Sequence, residues 1–323
     1  MIPLLTLNTP LFVKWYITGR CNLRCKHCYL SSYHGESSLT KILNIVDELA
    51  EIGVKDINFL GGEPLIRKDL EAIVKHTAVS GIHVKIGTNG TLLTKKRVES
   101  LLSAGCCDFQ ISIEGMNAEI NDEIRGVNSF LKAMTGVKRL LDKNANTEIA
   151  MTLNKKNFNG IFGFCQSIYA SGIRKVKFSV FMPLGSGALE SRNLTLNTEH
   201  ISAIRKEISD IKRTFPDLIV LGAFNPASVI THDSMTLGCG AGTSTMVINN
   251  DLTVSACDLW TDVDRTERKI EKKGDVIDIW QNDELFNKWR RVNLEDNNTK
   301  FNEVHEHGCH ILYMQYNKNI FEG

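Results

Sequence analysis

The sequence predicts an α/β protein: a partial, TIM-like (β/α)6 barrel followed by a small irregular α+β extension. Three observations carry this. Short β-rich runs alternate with longer amphipathic stretches from residue 12 to about 214. Most of the helical stretches end in a glycine signal that feeds the next strand. The rhythm then changes after about residue 215. Strand, helix and strand at this spacing specify a parallel sheet of βα units. Six units fit, fewer than a closed (β/α)8 barrel requires, so the barrel is open or partial. In such folds the reactive site lies at the C-terminal ends of the strands.

In chain order, strands are predicted at Phe12–Thr18, Asp56–Leu60, His83–Thr88, Phe109–Ile113, Glu148–Leu153 and Val176–Met182. Helices fall between them at Leu39–Ile52, Asp69–Ser80, Lys95–Ala104, Ser129–Asp142 and Ile161–Ala170. The runs EIGV, VSGI, SAGC and ASGI are helix C-caps. Beyond the barrel, STMVINNDLTVSA at Ser244–Ala256 reads as a β-hairpin turning at Asn-Asn-Asp. A charged loop at Asp262–Lys273 and a short helix at Asp283–Val292 follow. Residues 1–214 are therefore expected to form the core, and 215–323 a second, smaller module.

Composition limits the function. The formal charge is +1, with 38 basic and 37 acidic residues, and this balance favours neither a nucleic-acid nor a membrane partner. No signal peptide or membrane-length apolar run is legible, so a cytoplasmic location is expected. Cytosolic thiols stay reduced, and nine cysteines cannot all pair within one chain, so a close cysteine cluster reads first as a metal site.

Cys21, Cys25 and Cys28 form such a cluster, C-x3-C-x2-C, in a glycine-entered loop just after the first strand. Four cysteines would saturate a [4Fe–4S] cluster; three leave one iron open, and an open metal position is how a site binds a reactant. The competing reading is a structural zinc site with His27 as fourth ligand. Polar or glycine devices recur where the following strands end: Gly61-Gly62-Glu63-Pro64, Thr88-Asn89-Gly90, Ser112-Ile113-Glu114-Gly115, Asn154, and Met182-Pro183-Leu184-Gly185. The two glycines expose backbone N–H and C=O groups beside a carboxylate, which suits an ammonium-bearing ligand.

In that order and spacing, CNLRCKHCY, GGEP, TNG and ISIEG resemble the radical S-adenosylmethionine (SAM) enzymes over about residues 10–190. The resemblance implies that Cys21, Cys25 and Cys28 ligate three irons of a [4Fe–4S] cluster whose fourth iron binds the amino and carboxylate groups of SAM. One electron then cleaves SAM to a 5′-deoxyadenosyl radical that abstracts hydrogen from substrate carbon. Carried over residue by residue, Gly61, Gly62 and Glu63 face the methionine amino group. Ser112, Glu114 and Asn154 meet the ribose or carboxylate region, Tyr29 lies near the adenine, and the backbone from Phe181 to Leu184, including Met182, completes the adenine site. Asn89, in TNG, belongs to the same rim. Arg125 is a candidate partner of the methionine carboxylate, because a guanidinium fork suits that group; a surface salt bridge is its other reading. An external one-electron reductant of flavodoxin or ferredoxin type is implied as well.

Cys239, Cys257 and Cys309 lie in the extension. The hairpin brings Cys239 and Cys257 together if the chain folds as read, and the C-terminal segment must return to add Cys309. CGAG, a hairpin and VSACD resemble the first half of the SPASM and twitch auxiliary-cluster extensions, which implies a second iron–sulfur cluster. The full SPASM pattern carries more cysteines than this chain has, so the extension is closer to a twitch-like form. His305, His307, His310, a substrate atom or nothing serves as fourth ligand. Three packed cysteines or a zinc site are the alternatives. Cys106, Cys107 and Cys165 read first as core residues; their functional alternative is a thiol that donates hydrogen to a substrate radical.

The resemblance leads to a maturase of ribosomally made peptides, forming a cross-link, a thioether or a D-residue. The main alternative is a small-molecule enzyme, an aminosugar dehydrogenase or epimerase or a cofactor-biosynthesis cyclase; a protein activase and a non-catalytic metal scaffold rank below. Only about eleven residues precede the first strand, so an N-terminal peptide-recognition domain is not expected. A peptide would be held by the extension, by the barrel or by a separate recognition protein.

Overall fold

In the computed structural model, residues 7–222, 240–259, 261 and 263–295 are described. The chain runs β1 (Phe12–Tyr16), α1 (Leu39–Glu51), β2 (Asp56–Leu60), α2 (Leu70–Val79), β3 (His83–Thr88), α3 (Lys95–Ser103), β4 (Asp108–Ser112), α4 (Ala118–Arg125), α5 (Ser129–Leu141), β5 (Asn146–Leu153), α6 (Ile161–Ala170) and β6 (Lys175–Val180). It continues through α7 (Ser191–Leu194), α8 (Thr198–Thr214), β7 (Ile219–Gly222), β8 (Thr245–Ile248), β9 (Val254–Ser255), α9 (Asp275–Asn282) and α10 (Glu284–Glu295). All six expected βα strands are present, as are the five expected helices, with ends shifted by a residue or two. The fold is the expected α/β partial barrel with a C-terminal extension.

Among the described residues, the sheet has nine strands in the order β7-β6-β5-β4-β3-β2-β1-β8-β9. Strands β1 to β7 are parallel to their neighbours, β8 is parallel to β1, and only the β8–β9 hairpin is antiparallel. Two strands that follow residue 215 thus close on opposite edges: β7 beside β6, and β8 beside β1. Residues Phe181 and Ile113 continue the ladder past the regular strand ends, since Phe181 N–H donates to Leu153 and Ile113 N–H to Ala150.

Helix starts are set locally. Ser38, Thr94 and Asn117 accept from backbone N–H groups in the first turns of α1, α3 and α4, and Asn197 and His200 cap α8 reciprocally. α4, α7, α8, α9 and β7 were not among the expected elements. α4 and α9 have only eight residues each, a short window for a 3.6-residue period, whereas α8 has 17.

The strands alternate. Val13 and Trp15, Ile57 and Phe59, Val84 and Ile86, Phe109 and Ile111, and Val176 and Phe178 are buried on one face against the helices. Burying each such side chain contributes about 2 kcal/mol. The positions between them are Lys14, Asn58, Lys85, Gln110, Glu148 and Lys177, so the inner face of the barrel is polar and charged.

The extension is tied down by specific contacts. Glu48 of α1 accepts from Val276 N–H at the start of α9 (3.0 Å), and Trp280 Nε1 donates to the Leu7 carbonyl (2.9 Å). Arg290 Nε donates to the Gly242 carbonyl (2.9 Å), and its guanidinium lies over the Trp280 ring. Of the stretch expected to be a charged loop, Thr266 and Ile270 are buried, and Thr253 bridges to Lys269.

Candidate active site

The loop that follows β1 carries the first cysteine cluster, and neighbouring rim loops hold it by backbone hydrogen bonds. Gly62 N–H donates to Thr18, Glu63 N–H to Arg20, and Lys26 N–H to Ile124, each at 2.8 Å. After β6, Gly187 N–H donates to the Cys28 carbonyl (2.7 Å) and Ser186 N–H to Leu30 (3.1 Å). The close approach explains the glycines. A Cβ on Gly62 would sit 2.4 Å from the Arg20 carbonyl oxygen, and one on Gly185, whose φ is +54°, 2.1 Å from that of Tyr29.

Cys21, Cys25 and Cys28 are free, half-buried and line one cavity of about 210 Å³. Burial pushes the thiols of Cys21 and Cys25 up, the latter to about 11, and the neighbouring cysteines add to the rise. Among the described residues, no three His, Cys, Asp or Glu side chains are gathered to hold one metal ion. Three cysteines facing one cavity are a donor set that suits a multi-iron cluster, whose ligands attach to different irons. His27 turns Nε2 to Glu114 (3.3 Å), and burial pushes its imidazole down to about 4.

The sequence-derived candidates divide into two groups. Tyr29, Gly61, Gly62, Asn89, Ser112, Arg125 and Met182 line the cavity with the three cysteines. Glu63, Glu114, Asn154 and Leu184 do not line it. Glu63 is fully buried and accepts from Leu65 N–H (3.0 Å), the Thr88 hydroxyl (2.6 Å) and Asn89 N–H (2.8 Å). It therefore braces the end of β3 against the loop after β2. Glu114 accepts from Thr152 N–H (2.8 Å) and from Arg125 Nη2 (2.6 Å). Asn154 makes a local turn, accepting from Lys156 N–H (2.9 Å).

Cys106 and Cys165 are completely buried, Cys106 before the N-terminal end of β4 and Cys165 inside α6; Cys107 is exposed beside Cys106. None of the three lines the cavity. Burial pushes the Cys165 thiol up to about 12. Cys257 follows β9, and its neighbours Asp258 and Leu259 line the cavity; Cys239 and Cys309 lie outside the described residues.

Sequence reading missed the deeper wall. Tyr16, Gln110, Thr152, Lys177, Ser179 and Asp258 also line the cavity. Lys14 pairs with Asp258 (2.7 Å), Lys85 with Glu148 (2.8 Å), and Gln110 also donates to Glu148. Tyr16 OH reaches the Asp258 carbonyl at 3.4 Å across 242 residues of sequence. The legible signal was the lysine or amide at every second position of strands that pack helices on their other face.

Residues 15–160 match the model of the Radical SAM superfamily. The chain is 34% identical to an AdoMet-dependent heme synthase of Methanosarcina barkeri over 56% of its own length and 53% of that protein's. It is 28% identical to the mycofactocin maturase MftC of Mycolicibacterium smegmatis over 88% of its length and 73% of MftC's. The match thus spans about half of the heme synthase. In fold, it resembles Streptococcus suis SuiB bound to the precursor peptide SuiA, with a TM-score of 0.77, 18% identity, and coverage of 98% of this chain and 77% of SuiB. It also resembles anSMEcpe with bound AdoMet, with a TM-score of 0.76, 17% identity, and coverage of 96% and 92%. The cysteine loop, the rim that braces it and most of the polar barrel behind them fall within residues 15–160, the stretch that matches the Radical SAM superfamily model.

Proposed function

We propose that the protein is a radical SAM enzyme that modifies a ribosomally made peptide. The observation that carries the chemistry is the convergence of Cys21, Cys25 and Cys28 on one cavity whose other wall is polar barrel. Those three cysteines hold a [4Fe–4S] cluster with one open iron, and SAM occupies the cavity beside it. When bound, these groups supply a one-electron cleavage of SAM and a hydrogen-abstracting carbon radical.

The chain's own residues orient and exclude. Gly61 and Gly62 let the backbone approach the methionine end closely. Arg125, held on two nitrogens by Glu114, keeps Nη1 toward Cys25 for a carboxylate. Tyr29 packs edge-on against Tyr16 (centroids 5.8 Å apart), closing the adenine side. Such walls confine a reactive radical to one substrate carbon.

The peptide reading is supported by the alignment to MftC over most of the chain and by the shared fold of SuiB, a structure bound to a precursor peptide. Residues 1–214 are the core in this reading. Residues 215–323 form a SPASM/twitch-like extension in which Cys239, Cys257 and Cys309 bind a second cluster. The protein works in the cytoplasm with a flavodoxin- or ferredoxin-type reductant, and a separate peptide-recognition protein is a candidate partner. Among the described residues, no helix is long and apolar enough to cross a membrane. A second reading, a small-molecule enzyme of cofactor biosynthesis, is favoured by the higher identity to the heme synthase over the domain half.

Iron and sulfide content after anaerobic reconstitution tests the cofactor assignment. About eight irons in the intact protein, and about four in each of a Cys21/Cys25/Cys28→Ala and a Cys239/Cys257/Cys309→Ala variant, is the expected result. Iron lost only from the first set removes the auxiliary cluster from the reading. Absence of 5′-deoxyadenosine on anaerobic reduction with SAM removes the radical activity.

A further inference from the structure

The charges on the inner barrel face do not cancel. Lys14 is taken up by Asp258 at 2.7 Å and Lys85 by Glu148 at 2.8 Å. Arg125 is matched by Glu114 at 2.6 Å. Lys177 is left over. It lies in the middle of β6, lines the cavity, and makes no hydrogen bond or ion pair among the described residues. It senses Lys14, Asp258, Glu148 and Lys85 only through space, two cations against two anions that already pair with each other.

Burial of an ammonium without a partner is unfavourable, and the neighbouring Lys14 adds to the penalty. A cation in that position is stabilised by an anion entering the cavity, at the moment of binding. Lys177 sits three residues before the end of β6. Its register neighbours are Ala150 and, beyond it, Ser112 on one side, and Leu221 on the other. The small side chains on the β5 and β4 side leave the ammonium facing the cavity. The cysteines, by contrast, lie in the loop beyond the end of β1.

The geometry points to Lys177 as a substrate-recognition residue that pairs with a carboxylate of the substrate, an acidic side chain or the C-terminus of a peptide, and draws it into the barrel interior. The Lys14–Asp258 pair keeps this site at one net positive charge, because Asp258 is already neutralised. The inference rests on the peptide reading above and names the chemistry its substrate must carry.

The test uses anaerobically reconstituted full-length protein and a randomised hexapeptide library, offered in free-acid and C-terminally amidated forms. Bound peptides are recovered and sequenced by mass spectrometry for wild type, Lys177→Met and Lys177→Arg. Wild type is expected to enrich peptides with Asp, Glu or a free C-terminus about tenfold over their Asn, Gln or amide counterparts. Lys177→Met loses that preference and Lys177→Arg retains most of it. SAM affinity, measured by equilibrium dialysis, stays within about twofold in both variants. Peptide capture with no acid preference, or one that Lys177→Met keeps, overturns the assignment and leaves the peptide reading standing. A drop in SAM affinity of tenfold or more in Lys177→Met overturns it by assigning the lysine to SAM. Capture of no peptide at all rejects both readings together.

Discussion

Arg125 turns Nε and Nη2 onto a single oxygen of Glu114, at 3.1 and 2.6 Å, and faces Nη1 to the sulfur of Cys25 at 3.9 Å. The other Glu114 oxygen accepts from Thr152 N–H, so α4, the end of β4 and β5 are joined through one buried carboxylate. Removing one member of a buried pair strands the other charge, at a cost of about 3–5 kcal/mol. Glu114→Ala is expected to lower the urea midpoint accordingly and to reduce iron retention. Arg125→Lys keeps the charge but loses the fork, so its expected effect is weaker SAM binding with a smaller loss of stability. Unchanged SAM affinity in Arg125→Lys removes Arg125 from the SAM site.

Gly185→Ala tests how the loop after β6 clamps the cysteine loop. An added methyl would meet the Tyr29 carbonyl at 2.1 Å, and φ is +54°. The backbone partner is rigid, so the loop must move and the bonds from Ser186 and Gly187 to Leu30 and Cys28 weaken. Reconstituted iron is expected to fall to about half of wild type or less while far-UV circular dichroism is unchanged, because the strands themselves are untouched. Full iron content in the variant rejects the clamp.

His83 at the N-terminal end of β3 lies between Asp56 (2.5 Å) and Asp108. Burial opposes its protonation, but the two aspartates outweigh it and raise the imidazole above its ordinary 6.5. A raised cation contributes stability that is full below the unfolded value and is lost as pH rises through the folded one. The melting temperature of wild type should therefore fall more between pH 6 and pH 8.5 than that of His83→Asn. With a half-exposed ring the difference stays under about 1 kcal/mol. Parallel pH profiles would mean that the pair is fully screened.

Glu48 docks the extension on the barrel through Val276 N–H. Glu48→Ala leaves that donor at the start of α9 without its acceptor, at a cost of about 1–3 kcal/mol. Hydrogen exchange should accelerate in Asp275–Asn282 and not in β2–β5. Uniform acceleration would make the extension and barrel one cooperative unit.

The βα rhythm, the strand positions and the cysteine loop were all legible in the sequence, because each depends on residues close in the chain. Alternation of two residues marks a strand, a 3.6-residue period marks a helix, and C-x3-C-x2-C places three thiols in one short loop. Glu63 and Glu114 were legible as carboxylates at strand ends, but the loops they brace were not. Which neighbouring loop such a carboxylate holds is decided by the fold and not by the residues beside it in sequence.

Only the tertiary structure decided the deeper wall. Lys14 and Asp258 meet because β8 adds to the free edge of β1, and among the described residues Lys177 is left without a counter-ion because the other acids on that face are already taken. Sequence alone determined that the chain builds a βα barrel with a cysteine loop at its rim. Which charges cancel inside that barrel depends on pairings between strands far apart in the chain, and no local periodicity encodes them.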